Sequence, residues 1–69
     1  SNRNKIRNEM FYIKKFGIKS HIEKTNQTKQ NYVKHLIGKV NYILSINPDD
    51  KEFQEYKKIL YDEIKNASR

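Results

Sequence analysis

These 69 residues contain no cysteine and no tryptophan, a single proline and only two glycines. Without cysteine there is neither a disulfide framework nor a thiolate metal site, which removes the usual staples of a small secreted domain and makes a reducing, cytoplasmic setting the expectation. No apolar run approaches the roughly 18 residues that a bilayer-spanning helix requires, and no signal-peptide h-region follows Ser1. Gly17 and Gly38 stand alone, so no glycine-rich phosphate loop is present. Acid is scarce over most of the chain. Residues 1–48 hold ten Lys or Arg against Glu9 and Glu23, a balance of +8, whereas residues 49–69 hold five basic and six acidic side chains, a balance of −1. The attraction for anions therefore belongs to the first two-thirds, an asymmetry that favours a polyanionic partner. The plainer alternative is a solvated lysine-rich surface of the kind an AT-rich genome encodes.

What is there is helical pattern. Ile6, Met10 and Ile13 recur at spacings of four and three, with Phe16 beside them and Gly17 where a left-handed C-terminal cap is wanted, so a first helix is expected over about 4–16. Phe11 falls off that stripe among Arg7, Lys14 and Lys15; packing on Ile18 and Ile22 is its first expectation, and stacking on a base or docking on a neighbouring domain its second. Residues 17–29 lack a clean period beyond a helical turn anchored by Ile18 and Ile22, and the polar run 23–30 reads as a mobile connection. A second helix is expected over 28–45. Counted at about 100° per residue, Val33, Leu36, Ile37, Val40, Ile43 and Leu44 gather on one side, and Asn31, Lys34, Gly38, Tyr42 and Ser45 on the other.

Asn47, Pro48, Asp49 and Asp50 read as the start of a third helix, over 48–66, with asparagine as cap, proline in the first helical position and two carboxylates at the positive end of the dipole. Phe53, Tyr56, Leu60 and Ile64, with Ile59, line its inner face, and Lys51 with Glu55 and Lys58 with Asp62 are spaced for weak ion pairs outside. One small all-α domain, a three-helix bundle, is the economical architecture for a chain that buries only about 60% of its unfolded surface. Because it begins Ser1-Asn2, a piece excised from a larger protein is expected.

Catalysis by this chain alone is not expected. Asp49 and Asp50 are adjacent carboxylates, but a helix start is a poor setting for two-metal phosphoryl chemistry, which also needs a third carboxylate held nearby. His21 and His35 stand fourteen residues apart, too far for a helical metal pair. No metal or cofactor is assigned to the chain. What remains is a binding surface, in which Lys34, His35 and Lys39, with Asn31, Asn41 and Tyr42, mix phosphate-seeking cations with groups able to bond sugars. Arg3, Arg7, Lys14 and Lys15 are expected to extend it along the first helix. Gly38 costs about 1 kcal/mol against alanine inside a helix, so a neighbouring backbone or a ligand is expected to approach there.

The same stretch carries a resemblance. Leu36-Ile-Gly-Lys-Val-Asn-Tyr-Ile, followed by Ile46-Asn-Pro, resembles the L-x-G-K-[IV]-x-[FY] element in the C-terminal thumb of bacterial retron-type and related group II-like reverse transcriptases. Upstream, Arg7, then Phe16-Gly17-Ile18, then 36–42 follow the order of that thumb, so the likeness spans most of residues 3–48. The resemblance implies an RNA-directed DNA polymerase as the parent, with magnesium in that parent's active site, and a non-catalytic thumb that grips primer-template duplex and rests on the polymerase's other subdomains. Carried onto this chain, it places nucleic-acid contacts at Lys34, Gly38, Lys39, Asn41 and Tyr42, with Arg7, Lys14 and Lys15 as outer phosphate contacts; Gly38 and Lys39 match the pattern residue by residue. The alternatives are a stand-alone DNA-binding regulator with its recognition helix at 28–45, and a protein-interaction bundle presenting Tyr32, Tyr42 and Phe11. Binding to a membrane surface is disfavoured, since the apolar faces are needed for the core.

Overall fold

The computed structural model describes residues 2–23 and 27–67, and they form four helices: α1 (Asn2–Phe16), α2 (Ile18–Ile22), α3 (Lys29–Ile46) and α4 (Lys51–Ala67). The all-α class is as the periodicity predicts. The helix count is not, because the helical turn expected at Ile18 and Ile22 is an element of its own, a fourth beside the three long helices. Ile18 explains the difference: it is buried with the α1 and α3 stripes, and Ile22 packs against the same cluster, so five residues acquire an inner side. Lys29 and Gln30, expected in the polar connection, already belong to α3, whose first turn is capped by the Thr28 hydroxyl accepting from the Asn31 amide at 3.2 Å. The expected mobility at 24–26 and the excision at Ser1 fall outside the described residues.

Gly17 turns the chain between α1 and α2. Its amide still donates to the Ile13 carbonyl at 2.9 Å, as a fifth-turn helical residue would, but its backbone then takes φ 86° and ψ 153°, a conformation open only to a residue without a Cβ.

The turn before α4 also departs from expectation. Asn47 closes α3, donating to the Ile43 carbonyl, and its own carbonyl accepts from the Asp50 amide at 3.2 Å across Pro48 and Asp49. Proline thus takes the second position of a β-turn, where its fixed φ is equally at home. The helix begins one turn later than the residues 47–48 imply, and Asp50 is the residue that caps it, its Oδ1 accepting from the Phe53 amide at 3.3 Å and its carbonyl from the Gln54 amide at 3.0 Å. Asn47, the expected cap, and Asp50 both suit that position by residue type; the tertiary partner of Asp50, described below, decides between them.

This tight turn folds α4 back on α3, and the two pack more extensively than any other pair, with Lys29 of the α3 start bonded to Glu63 of the α4 end at 2.9 Å. Val33, Leu36, Val40, Phe53 and Leu60 are fully enclosed between them. α1 lies over this hairpin through Ile6, Met10 and Ile13, and Tyr56 closes the core from α4. The expected stripes of all three long helices are therefore the core. The expected pairs Lys51 with Glu55 and Lys58 with Asp62 do not form; ion pairs among the described residues run between helices instead.

Candidate nucleic-acid interface

Two flanks of α1 meet different neighbours, and this sorts the cations of the basic two-thirds. With Met10 facing the core, a step of about 100° per residue puts Arg3, Arg7 and Lys14 on one side of the inner stripe and Lys5 and Glu9 on the other. The first group faces α4. Arg3 donates from Nη2 and Nε to Asp50 Oδ2 at 2.9 and 3.2 Å and lies 3.6 Å from Glu52, and Arg7 Nε donates to both Glu52 oxygens at 3.1 and 3.2 Å. Lys14 stands 3.9 Å from Glu55 and over the Tyr56 ring. Arg7 and Lys14, expected as outer phosphate contacts, are thus turned to the carboxylates that open α4. Lys15 lies outward, over the Phe16 ring at 5.5 Å.

Asp50 is the fixed point of this seam. Its burial pushes the carboxyl toward protonation, but the hydrogen bonds from Arg3 and from the Phe53 amide, with the Arg3 charge, outweigh burial and hold its pKa below the ordinary carboxylate value. An aspartate so engaged, buried and already bound to a cation, is poorly placed to ligate a metal. Among the described residues no three His, Asp or Glu side chains converge as a metal site.

The other flank of α1 faces α3 and leaves a groove. Lys5, Ile6 and Glu9 from α1 and His35, Gly38, Lys39 and Tyr42 from α3 line a hollow of about 460 Å³. Four side chains in it can donate to phosphate or sugar oxygen. Gly38 is exposed, and a Cβ built on it meets nothing within 4 Å. No neighbouring backbone approaches it, which removes one of the two reasons expected for a glycine in mid-helix. Tyr42 projects beside it with 59% of its surface exposed. Lys34, Asn41 and Ser45 lie further round the same exposed side of α3, so the predicted α3 residues divide: Gly38, Lys39 and Tyr42 border the groove, while Lys34 and Asn41 form its outer shoulder.

A carboxylate sits in the floor. Glu9 accepts from the Tyr32 hydroxyl at 2.6 Å and lies 3.7 Å from both Lys39 Nζ and His21 Nε2. Tyr32, expected as an exposed contact, is buried instead, and its phenol is held well above the ordinary range, first by burial and then by the bond to Glu9. Its place is legible afterwards: four residues before Leu36, it falls on the inner stripe, and its hydroxyl needs a partner there. Lys5 and Glu9, which sequence reasoning passed over, carry a weaker signal, a four-residue spacing on the flank of α1 that is common on any helix.

No protein-family model matches the chain, and neither a curated protein nor a solved structure matches it. No helix among the described residues is long and apolar enough to cross a membrane.

Proposed function

We propose that this chain is a non-catalytic nucleic-acid-binding module that holds a double-stranded RNA or DNA backbone along the α1–α3 groove, in the manner of a reverse-transcriptase thumb positioning primer and template for a polymerase centre elsewhere in a cytoplasmic parent protein. The observation that carries the reading is Gly38: an exposed mid-helix glycine with open space above it, bordered by Lys5, His35, Lys39 and Tyr42. A helix retains a destabilising residue at such a point when something outside the molecule must come close to its backbone. A sugar-phosphate strand meets the chemistry of the border, with Lys5 and Lys39 for phosphates and Tyr42 and His35 for sugar oxygens. Contacts of this kind track a backbone and carry little base information, as gripping any primer-template requires.

The test is a pair of titrations. Hybrid duplex should bind with little sequence preference and with an affinity that falls steeply with salt, each neutralised phosphate adding about 0.9 to the slope of the log–log plot for a B-form duplex. Lys34→Glu with Lys39→Glu should abolish most of that binding at unchanged helix content. Gly38→Ala separates ligand from fold: it should raise stability by about 0.5–1 kcal/mol and weaken duplex binding. Duplex affinity indifferent to all three substitutions sinks the proposal. A strong preference for one duplex sequence would favour the regulator. A protein-docking reading rests on Ile46 and Tyr61, 67% and 49% exposed, and would be favoured if those positions alone governed association with a partner.

A further inference from the structure

The outward side of α1 borders the seam at Arg7 and Lys14 and lies apart from the groove. Phe11, expected on Ile18 and Ile22, stands outside the core that takes them in: it is 50% exposed, with the Arg7 guanidinium 5.3 Å from its ring centre. Phe16 is 56% exposed, with Lys15 Nζ over it at 5.5 Å and Tyr12 tilted against it at 4.8 Å. Between the two phenylalanines lies an open hollow of about 550 Å³ floored by Asn8, Tyr12 and Lys15. Five residues separate the rings, about 7.5 Å of helix rise. The sole acid of α1, Glu9, is turned away to Tyr32, so α1 itself puts no carboxylate on this side, and Glu52 and Glu55 of α4 reach only its edge, at Arg7 and Lys14.

Two exposed rings interleaved with cations, of which Arg7 and Lys14 are shared with Glu52 and Glu55 at the edge of the seam, are the makings of a stacking platform for bases whose phosphates seek Lys15. We propose that the outer face of α1 binds unpaired nucleotides of a single strand, with bases stacked on Phe11 and Phe16 and the connecting phosphate at Lys15. The site differs from the groove in residues and in ligand: a duplex keeps its bases stacked inside and has none to offer these rings, while an overhang or a displaced strand has. An apolar protein segment fits the site less well, because the cations already cover part of each ring and would be desolvated without compensation.

The experiment measures anisotropy of labelled oligothymidylate and oligouridylate with the whole chain. Both should bind, since stacking is shared by DNA and RNA, and a preference for one identifies the natural strand. Phe11→Ala and Phe16→Ala should each weaken binding at least fivefold, Lys15→Glu should weaken it and flatten the salt dependence, and Phe11→Tyr should bind as the parent does. Both rings are exposed, so circular dichroism should show helix content unchanged. Lys34→Glu with Lys39→Glu should leave oligonucleotide binding in place while duplex binding falls, which keeps this site and the groove separately testable. Alanine variants that bind single strands as the parent does would overturn the proposal. So would a chain that self-associates through Phe11 and Phe16 and ignores oligonucleotides.

Discussion

Asp50 concentrates two jobs in one carboxylate at 9% exposure: it caps α4 through the Phe53 amide and receives Arg3 from α1. Asp50→Ala should lower stability by about 1–2 kcal/mol through loss of the cap, read from thermal or urea unfolding, while Arg3→Ala should cost less because the guanidinium is half in solvent. The acid limb of the stability curve follows from the same contacts. The folded carboxyl has the lower pKa, so its contribution is complete above the unfolded value of about 3.9 and is lost as pH falls through the folded value. Asp50→Asn should therefore flatten the pH dependence of unfolding below about pH 4. Tyr32 acts at the opposite end. Its folded pKa is raised, so its stabilisation is complete below the unfolded value near 10 and declines as pH climbs past it. Gly17→Ala forces a Cβ into a positive-φ backbone and should cost about 1–3 kcal/mol, even though nothing stands within 4 Å of the added atom. Gly38→Ala, with equal room but helical backbone, should have the opposite sign. Two glycines in open space thus give a matched test of backbone against packing.

Among the elements, α2 is the dependent one. Five residues make too few internal hydrogen bonds to sustain a helix, so its persistence rests on tertiary contacts. Those are Ile18 in the core and the His21 ring, set 5.2 Å from Tyr12 and 5.3 Å from Tyr32. Amides of 18–22 should exchange faster than those of the α3–α4 hairpin, and Ile18→Ala should abolish what protection they have while the hairpin keeps its own; equal protection throughout would show that α2 opens only with the whole fold. The three long helices were legible in the sequence because each carries a stripe whose period needs no partner to be seen, and those stripes are the core. α2 was legible only as a turn anchored by Ile18 and Ile22, since five residues are too short for a period and the burial of Ile18 is what makes it an element. The start of α4 was misplaced for a related reason: Asn47 and Asp50 are both good caps by residue type, and the choice is made by Arg3, 47 positions away. The same limit governs the site. Gly38, Lys39 and Tyr42 could be placed on one exposed face from spacing alone, whereas the engagement of Arg7 and Lys14 with α4 depends on how two distant helices cross.

At the scale of the molecule, the formal charge of +7 overstates the field available to a ligand on some sides and understates it on others. Arg3, Arg7 and Lys14 meet Asp50, Glu52 and Glu55 along the α1–α4 seam, so that side is nearly self-compensated. Removing the seam's acid should expose its cations. Glu52→Gln is predicted to tighten non-specific duplex binding measurably at low salt while lowering thermal stability by no more than about 1 kcal/mol, the scale of a part-exposed ion pair; a duplex affinity unaltered by that change would mean the seam lies out of reach of the ligand.

Glu9, moored by the Tyr32 hydroxyl and poised beside Lys39, acts on the proposed reading as a brake built into the track. A polyanion drawn in by the lysines meets a fixed repulsion at the bottom, so it rides high and dissociates readily instead of settling. Trading that carboxylate for an amide, Glu9→Gln, would leave Tyr32 a hydrogen-bond acceptor and take the brake off: the hold on a duplex should strengthen and its release slow. For a grip that has to let its cargo advance one step at a time, looseness of this kind is a working property, set by one negative charge in the right place.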